Sequence, residues 1–183
     1  MTSTLPFPDD CFDLIYADPP WRYKSATVEG GTPYPTMSIA QLCALPVGDI
    51  AKPDSALLLW VTMPKLFDAL QVIKAWGYTY KTCFLTWVKT NRYDGAPTIG
   101  IGWWTRSNAE LLLLATKGQA RKYLRRPEIT MSQVLMCPRG KHSEKPELAR
   151  RRIQQFFKAG IKRVELFARK RVRGWQAWGN EIF

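Results

Sequence analysis

This chain has one histidine, four cysteines and no long apolar run. Each shortage excludes something. The cysteines, Cys11, Cys43, Cys83 and Cys137, are far apart and form no C-x-x-C pair. With His142 as the single histidine, no familiar ligand spacing can be assembled, so no metal site is expected. Scattered thiols of this kind fit a reduced, cytoplasmic-type protein, and Cys11 and Cys83, in or beside strand-like runs, are expected to be buried. The apolar runs are short and broken by charge, which predicts no transmembrane helix and no membrane partner. No basic segment followed by an apolar run opens the chain, so no signal peptide is expected. Acidic residues are scarce in one region above all. Positions 117 to 173 hold 18 Lys and Arg against 4 Glu, while the remainder holds 9 basic and 11 acidic residues.

What is present suffices for a core. Of 183 residues, 46% are hydrophobic and 13% aromatic, which suggests one domain over 1–183 with a basic loop region at about 117–145. The net charge of +12 is concentrated in that basic lobe. It reads as a phosphate-binding surface for DNA or RNA, the bland alternative being a well-solvated face.

The stretch the chain is organised around runs from Asp13 to Tyr23, DLIYADPPWRY. Phe12 to Ala17 has the length and apolar character of one buried strand. Asp18-Pro19-Pro20-Trp21 then ends it, because proline donates no ladder hydrogen bond. A carboxylate and an indole are thereby held on a stiff corner at the carboxyl end of a strand, the edge where open α/β sheets bind ligands. The exocyclic amine of a nucleobase is a poor nucleophile, since its lone pair is delocalised into the ring. Two acceptors, the Asp18 carboxylate and the Pro19 carbonyl, would favour a pyramidal nitrogen whose lone pair faces an electrophile. Pro20 has no amide hydrogen to engage that carbonyl. Trp21 or Tyr23 could stack on the base, a contact worth about 1–3 kcal/mol. The plainer reading makes Asp18 a turn residue and Trp21 part of the core.

Further along, residues 23 to 37 read as a loop, and Ser38 as the cap of a short helix through Ala44. Ala56–Val61 reads as a second strand. A helix follows from Thr62 and Pro64, with Leu66, Phe67, Leu70 and Ile73 on its apolar side and Gly77 as its stop. Thr82–Val88 and Ala109–Ala115 are two more strands, with Glu110 a candidate pocket residue. Between them, residues 91–104 form an irregular stretch in which Trp103 and Trp104, beside Arg106, suit either base stacking or anchorage to the core. A short strand is expected at Gln133–Met136. A helix is expected from Ser143 or Pro146 to Phe157, with Leu148, Ile153, Phe156 and Phe157 inside and Arg150 to Arg152 mostly outside. Arg163–Ala168 and Trp175–Gly179 are the last strands. The alternation predicts a three-layer α/β domain.

D-P-P-W after an apolar strand resembles the catalytic motif of N(6)-adenine methyltransferases related to the catalytic subunit of eukaryotic mRNA N(6)-adenosine methyltransferase, a family with bacterial and phage members. Further motifs follow in that family's order: Tyr34-Pro35-Thr36-Met37-Ser38, Leu58-Leu59-Trp60-Val61-Thr62, Trp87-Val88-Lys89-Thr90-Asn91, His142-Ser143-Glu144-Lys145-Pro146, Glu165-Leu166-Phe167-Ala168-Arg169 and Gly179-Asn180-Glu181. The resemblance covers nearly the whole chain. It implies a single three-layer Rossmann-like class I methyltransferase domain in permuted order, with the catalytic corner near the N-terminus and the cofactor strand near the C-terminus.

The implied cofactor is S-adenosylmethionine, leaving as S-adenosylhomocysteine, with Asp18, Lys89, Glu165, Arg169, Asn180 and Glu181 around it. Lys89 would hold the cofactor's carboxylate. Asp18, Pro19, Pro20 and Trp21 would be catalytic. Tyr23, Tyr34, Arg139, His142 and Lys145 would contact substrate, Tyr34 against the adenine. The chain departs from the family pattern at Ala168, where glycine is usual, at Arg171, where some relatives carry histidine, and at Glu181, where a relative has glutamine. The implied activity is methylation of the exocyclic amine of adenine in nucleic acid, DNA ranked ahead of RNA, by a homodimer or one of a pair of subunits. The alternatives are a non-catalytic nucleic-acid-binding partner subunit, whose mark would be a broken D-P-P-W, and a methyltransferase acting on small molecules or protein.

Overall fold

A computed structural model describes residues 6–23, 35–102, 104–125, 130–140 and 144–182. Its centre is a seven-stranded sheet. The strands are β1 (Phe12–Ala17), β2 (Ala51–Thr62), β3 (Thr79–Thr90), β4 (Ala109–Lys117), β5 (Val134–Pro138), β6 (Arg163–Leu166) and β7 (Gln176–Trp178), and the helices are α1 (Ile39–Cys43), α2 (Leu66–Ala75) and α3 (Glu147–Phe156). The spatial order is β5-β3-β4-β2-β1-β6-β7. β1 pairs in parallel with β2 and β6, β6 with β7, and β3 with β5, whereas β4 is antiparallel to both of its neighbours. Thus six strands share one direction and β4 opposes them.

Every residue of β1 is buried. Such a strand reads as a continuous apolar run because both faces are covered. Its one charge, Asp13, is satisfied by the Lys52 ammonium at 2.9 Å and the Lys162 amide at 2.8 Å. Phe12, Ile15 and Ala17 face a core that includes Leu42 of α1 and Ala69, Val72 and Ile73 of α2. Leu14 and Tyr16 face the opposite core with Ala149 and Ile153 of α3. A helical layer therefore lies on each side of the sheet, sparsely on both. Among the described residues no helix is long and apolar enough to cross a membrane.

The expected elements are all present; β2, β3 and β4 are longer than their apolar cores suggest, and β6 and β7 are shorter than expected. β2 begins at Ala51 because its pairing with β1 jumps from Ala51 to Ala56, and the irregular stretch holds Pro53. Ser38 caps α1 through a reciprocal pair: its hydroxyl accepts from the Gln41 backbone amide, and the Gln41 side-chain oxygen accepts from the Ser38 backbone amide.

Four burial expectations are corrected. Cys11 is exposed, lying one residue before β1 begins. Phe67 is 82% exposed, because the inward stripe of α2 runs through Ala69, Val72 and Ile73 and places position 67 on the far side. Leu148 is 45% exposed, while Arg150 is buried. On α3 positions 149, 150 and 153 share the inward face, so the arginine takes the place an apolar residue would have filled.

Candidate active site

β1 ends at Ala17, and the corner that follows is braced from three sides. The Trp21 amide donates to the Pro19 carbonyl (2.9 Å), the Met37 amide to the Pro20 carbonyl (2.8 Å) and the Arg22 amide to the Met37 carbonyl (3.2 Å). The first of these engages the Pro19 carbonyl, which was expected as an acceptor for the amine. Pro20 leaves it untouched, but Trp21 takes one lone pair and leaves the second for a ligand. The Trp21 indole is buried and donates to the Trp60 carbonyl at 3.0 Å. It is thus a core residue, as the plainer reading had it, and it also forms part of the cleft wall.

The cleft at this corner is lined by Asp18, Pro19, Trp21, Tyr23, Trp60, Val61, Thr62, Glu110 and Lys145. Its acid, its indole and its carbonyl therefore share one cavity. Glu110 arrives because β4 runs backwards: its first residues lie at the edge where β2 and β3 end, with Glu110 opposite Thr62 on one side and Trp87 on the other. Four charges then alternate across the cleft. Lys89 meets Glu110 at 2.6 Å, Glu110 meets Lys145 at 3.3 Å, and Lys145 meets Asp18 at 2.7 Å. The Lys145 ammonium also lies 5.6 Å from the centre of the Trp60 ring. The Trp60 indole donates to the Tyr16 hydroxyl at 2.7 Å. Tyr23 shares a 2.6 Å hydrogen bond with Thr62 at the cleft's rim.

Burial pushes the Asp18 carboxyl above its ordinary range; Lys145 opposes that shift and the Glu110 charge adds to it. Burial also works against the Lys145 charge, yet Asp18 and Glu110 outweigh it and hold this lysine above its usual value. For Glu110 burial is likewise outweighed, by Lys145 and Lys89, and its pKa is lowered. The result is a partly buried acceptor, Asp18, whose proton affinity is raised by burial and held back chiefly by the Lys145 ammonium.

β1 and β6 are neighbours, yet the chain leaves them in opposite directions across the sheet, β1 toward β2 and β6 toward β7. A ligand crevice opens outside the carboxyl ends of strands at such a switch point. On the β6 side the backbone turns sharply: Phe167 has φ of 61°, a conformation rare for an aromatic residue. The next residue, Ala168, donates its amide to the Trp178 carbonyl at 2.9 Å. The end of β7 comes so close that a Cβ on Gly179 would stand 2.3 Å from the Ala168 carbonyl oxygen. The turn after β6 thus carries alanine at position 168, a strained Phe167 before it and a close approach of Gly179.

The other expected cofactor residues are placed unevenly. Arg169 and Glu181 pair at 3.2 Å, and the Arg169 charge adds, after Lys145, to what opposes the rise of the Asp18 pKa. Asn180 is exposed beside them. Glu165 instead holds Arg150 in a two-pronged pair of 2.7 and 3.1 Å, with the guanidinium against Tyr16 and Trp175. Arg139 is exposed just after β5. Tyr34 and His142, like Trp103, lie outside the described residues. Residues with no role assigned from sequence, Trp60 and Thr62, turn out to line the cleft; their place at the very end of a strand was the available signal.

Comparison with known proteins covers the same span as these motifs. Residues 12–181 match the MT-A70 family. The chain is 31% identical to the type II methyltransferase M.MunI of Mycoplasma sp, over 93% of this chain and 78% of that one. It is 29% identical to the N(6)-adenine-specific methyltransferase METTL4 of Mus musculus, again over 93% of this chain but only 37% of the mouse protein. It is 28% identical to the N6-methyladenosine RNA methyltransferase MTA1 of Cryphonectria parasitica, over 93% of this chain and 52% of the fungal one.

Proposed function

The chain belongs to the MT-A70 family, and from that membership we propose that it transfers a methyl group from S-adenosylmethionine to the exocyclic amine of adenine in nucleic acid, DNA ranked ahead of RNA. The observation that carries the reading is the 2.7 Å contact of an N–H donor, the Lys145 ammonium, with Asp18 inside the cleft. It supports the reading because an N–H donor is already accepted by this acid within the cleft, as the amine would be.

The residues divide the work. Asp18 and the second lone pair of the Pro19 carbonyl accept the two amine hydrogens and draw the nitrogen toward a pyramidal shape. Trp21, Tyr23 and Tyr34 bound the base. Lys145 yields part of its contact with Asp18 to the incoming amine and keeps Glu110 at its other side. The raised pKa of Asp18 suits it to hold the proton that the amine sheds. Most of the rate comes from positioning rather than from covalent chemistry by the protein.

The donor set at the crevice fits the proposed cofactor: a carboxylate for a sulfonium, and in Lys89, Arg169 and Asn180 polar groups for an amino-acid tail and a ribose. S-adenosylmethionine, when bound there, supplies an electrophilic methyl. Lys89 would exchange Glu110 for the cofactor's carboxylate, and Glu181 would support Arg169. We read the strand order as a permuted class I methyltransferase domain, three-layered and Rossmann-like. The basic lobe, with Arg139 and His142, would meet phosphates. In duplex DNA the adenine must leave the stack, at a cost of a few kcal/mol that a single strand avoids. A homodimer or a pair of unlike subunits is part of the same reading.

The test is tritiated-methyl transfer to matched DNA and RNA, single- and double-stranded. Incorporation into adenine is expected. Binding of nucleic acid without turnover, alone and with any paired subunit, would instead favour the non-catalytic reading, which the intact Asp18-Pro19-Pro20-Trp21 corner argues against.

A further inference from the structure

The segment between β3 and β4 is closed by backbone hydrogen bonds although none of its described residues is buried. It leaves β3 immediately after Lys89 and Thr90 and rejoins the sheet at Ala109 and Glu110, so both its ends are at the cleft edge. Its first turn is closed by Asn91–Ala96 and Thr98–Lys89 backbone hydrogen bonds of 2.8 Å each. Its second is closed by the Ser107 amide on the Ile101 carbonyl, 3.3 Å. Two glycines permit that approach. A Cβ on Gly100 would fall 1.7 Å from the Ser107 carbonyl oxygen, and one on Gly102 would fall 2.1 Å from that of Thr105.

This backbone presents apolar side chains to solvent. Tyr93 and Ile101 are 90% exposed and Trp104 is 99% exposed. The sequence left Trp104 open between anchorage and stacking; the structure removes anchorage. These apolar groups, with Ile99 at 83% exposure, lie on one short segment whose ends meet the cleft edge, where contact with a partner would cover them. Arg92 and Arg106 are exposed beside them, and among the described residues neither is in an ion pair. Aromatic faces interleaved with unpaired guanidinium groups suit stacked bases on a phosphate backbone better than a wholly apolar partner.

We propose that this segment is a single-strand contact, in which Trp104 stacks on a base flanking the target adenine while Arg92 and Arg106 hold the phosphates beside it. The proposal rests on the reading of the cleft given above, and it assigns the outer part of the substrate path. A protein partner, or a second copy of this chain, is the competing occupant.

The experiment uses the full chain and fluorescently labelled, adenine-containing oligonucleotides of DNA and RNA. Affinity is read by anisotropy and, separately, KM and kcat by methyl transfer. Trp104→Ala is expected to weaken binding and raise KM roughly 5- to 150-fold, with kcat near the parent value and Trp104→Phe recovering most of the loss. Arg106→Ala is expected to reduce the salt slope of binding by about one. Gly102→Ala keeps the indole but displaces it, and is expected to weaken binding as well. Unchanged affinity in Trp104→Ala would overturn the proposal. So would unchanged affinity combined with altered sedimentation of the chain, which would mark a protein interface. Binding is scored whether or not methyl transfer occurs. Trp104-dependent binding with no turnover by the parent chain would therefore count against the enzymatic reading and not against this contact.

Discussion

Lys145 and Asp18 stand 127 residues apart in the chain and 2.7 Å apart in the fold. One belongs to the basic stretch before α3, the other to the corner after β1. Their pairing joins the lobe read as phosphate-binding to the acid read as catalytic, and most of what can be tested starts from it.

Removal of the acid comes first. Asp18→Ala is expected to lower methyl transfer by at least about 10²–10³-fold, the range for loss of a group acting on the transition state. Cofactor binding should be largely kept, because Asp18 chiefly serves the amine. Calorimetry with S-adenosylhomocysteine alongside tritiated-methyl transfer checks both halves. Equal loss of binding and turnover would assign Asp18 to the cofactor.

Activity should fall on the acid side at a higher pH than an ordinary aspartate would give. The carboxylate form of Asp18 is the acceptor, and its pKa is raised by burial, so the acid limb of kcat is expected above about 3.9. Lys145→Met removes the cation that favours ionisation and should move the limb further up. The stability consequence has the opposite sense to that of a paired surface acid. A folded pKa above the unfolded one means a contribution that weakens as pH rises from the unfolded value through the folded one. Glu110, with its lowered pKa, contributes stability that is lost as pH falls through its folded value. A pH–rate profile of parent and Lys145→Met tests the first point; an unmoved limb would refute it.

Arg150 and Glu165 are paired with side chains only 8% and 13% exposed. Breaking such a pair from one side leaves a buried charge, at about 3–5 kcal/mol. Glu165→Gln should therefore lower the urea midpoint as well as any cofactor affinity, and Arg150→Met with Glu165→Leu together should recover much of the stability. A Glu165→Gln protein as stable as the parent would return this residue to a purely cofactor role.

Gly179→Ala places a methyl against the backbone of Ala168. Forced repacking of this kind costs about 1–3 kcal/mol. Thermal unfolding should show the loss, and cofactor affinity should fall with it, since the same contact fixes the turn after β6. An unchanged melting temperature would mean that the end of β7 can retreat at little cost.

Legibility in the sequence followed locality. The strand of Phe12 to Ala17, the proline corner and the capping box at Ser38 are each set by neighbours in the chain, and each could be read there. Arg150 could not, because its burial depends on meeting Glu165, Tyr16 and Trp175 across the fold. Phe67 was misplaced for a smaller reason, a helical phase set by Ala69, Val72 and Ile73 rather than by the larger apolar residues. Glu110 was visible as a candidate only, since nothing in a strand's composition reports its direction. Its place beside Lys145 and Lys89 follows from β4 running against its neighbours.

That reversal has a consequence for how such chains diversify. A parallel strand in β4's position would have carried its connecting segments to opposite rims, and any lengthening near the chemistry would have had to pass through a crossover. Here a plain hairpin opens on the working rim between two strands already locked into the core. A change in the length of this connection would leave the pairing of β3 with β4, and with it Lys89 and Glu110, as it is.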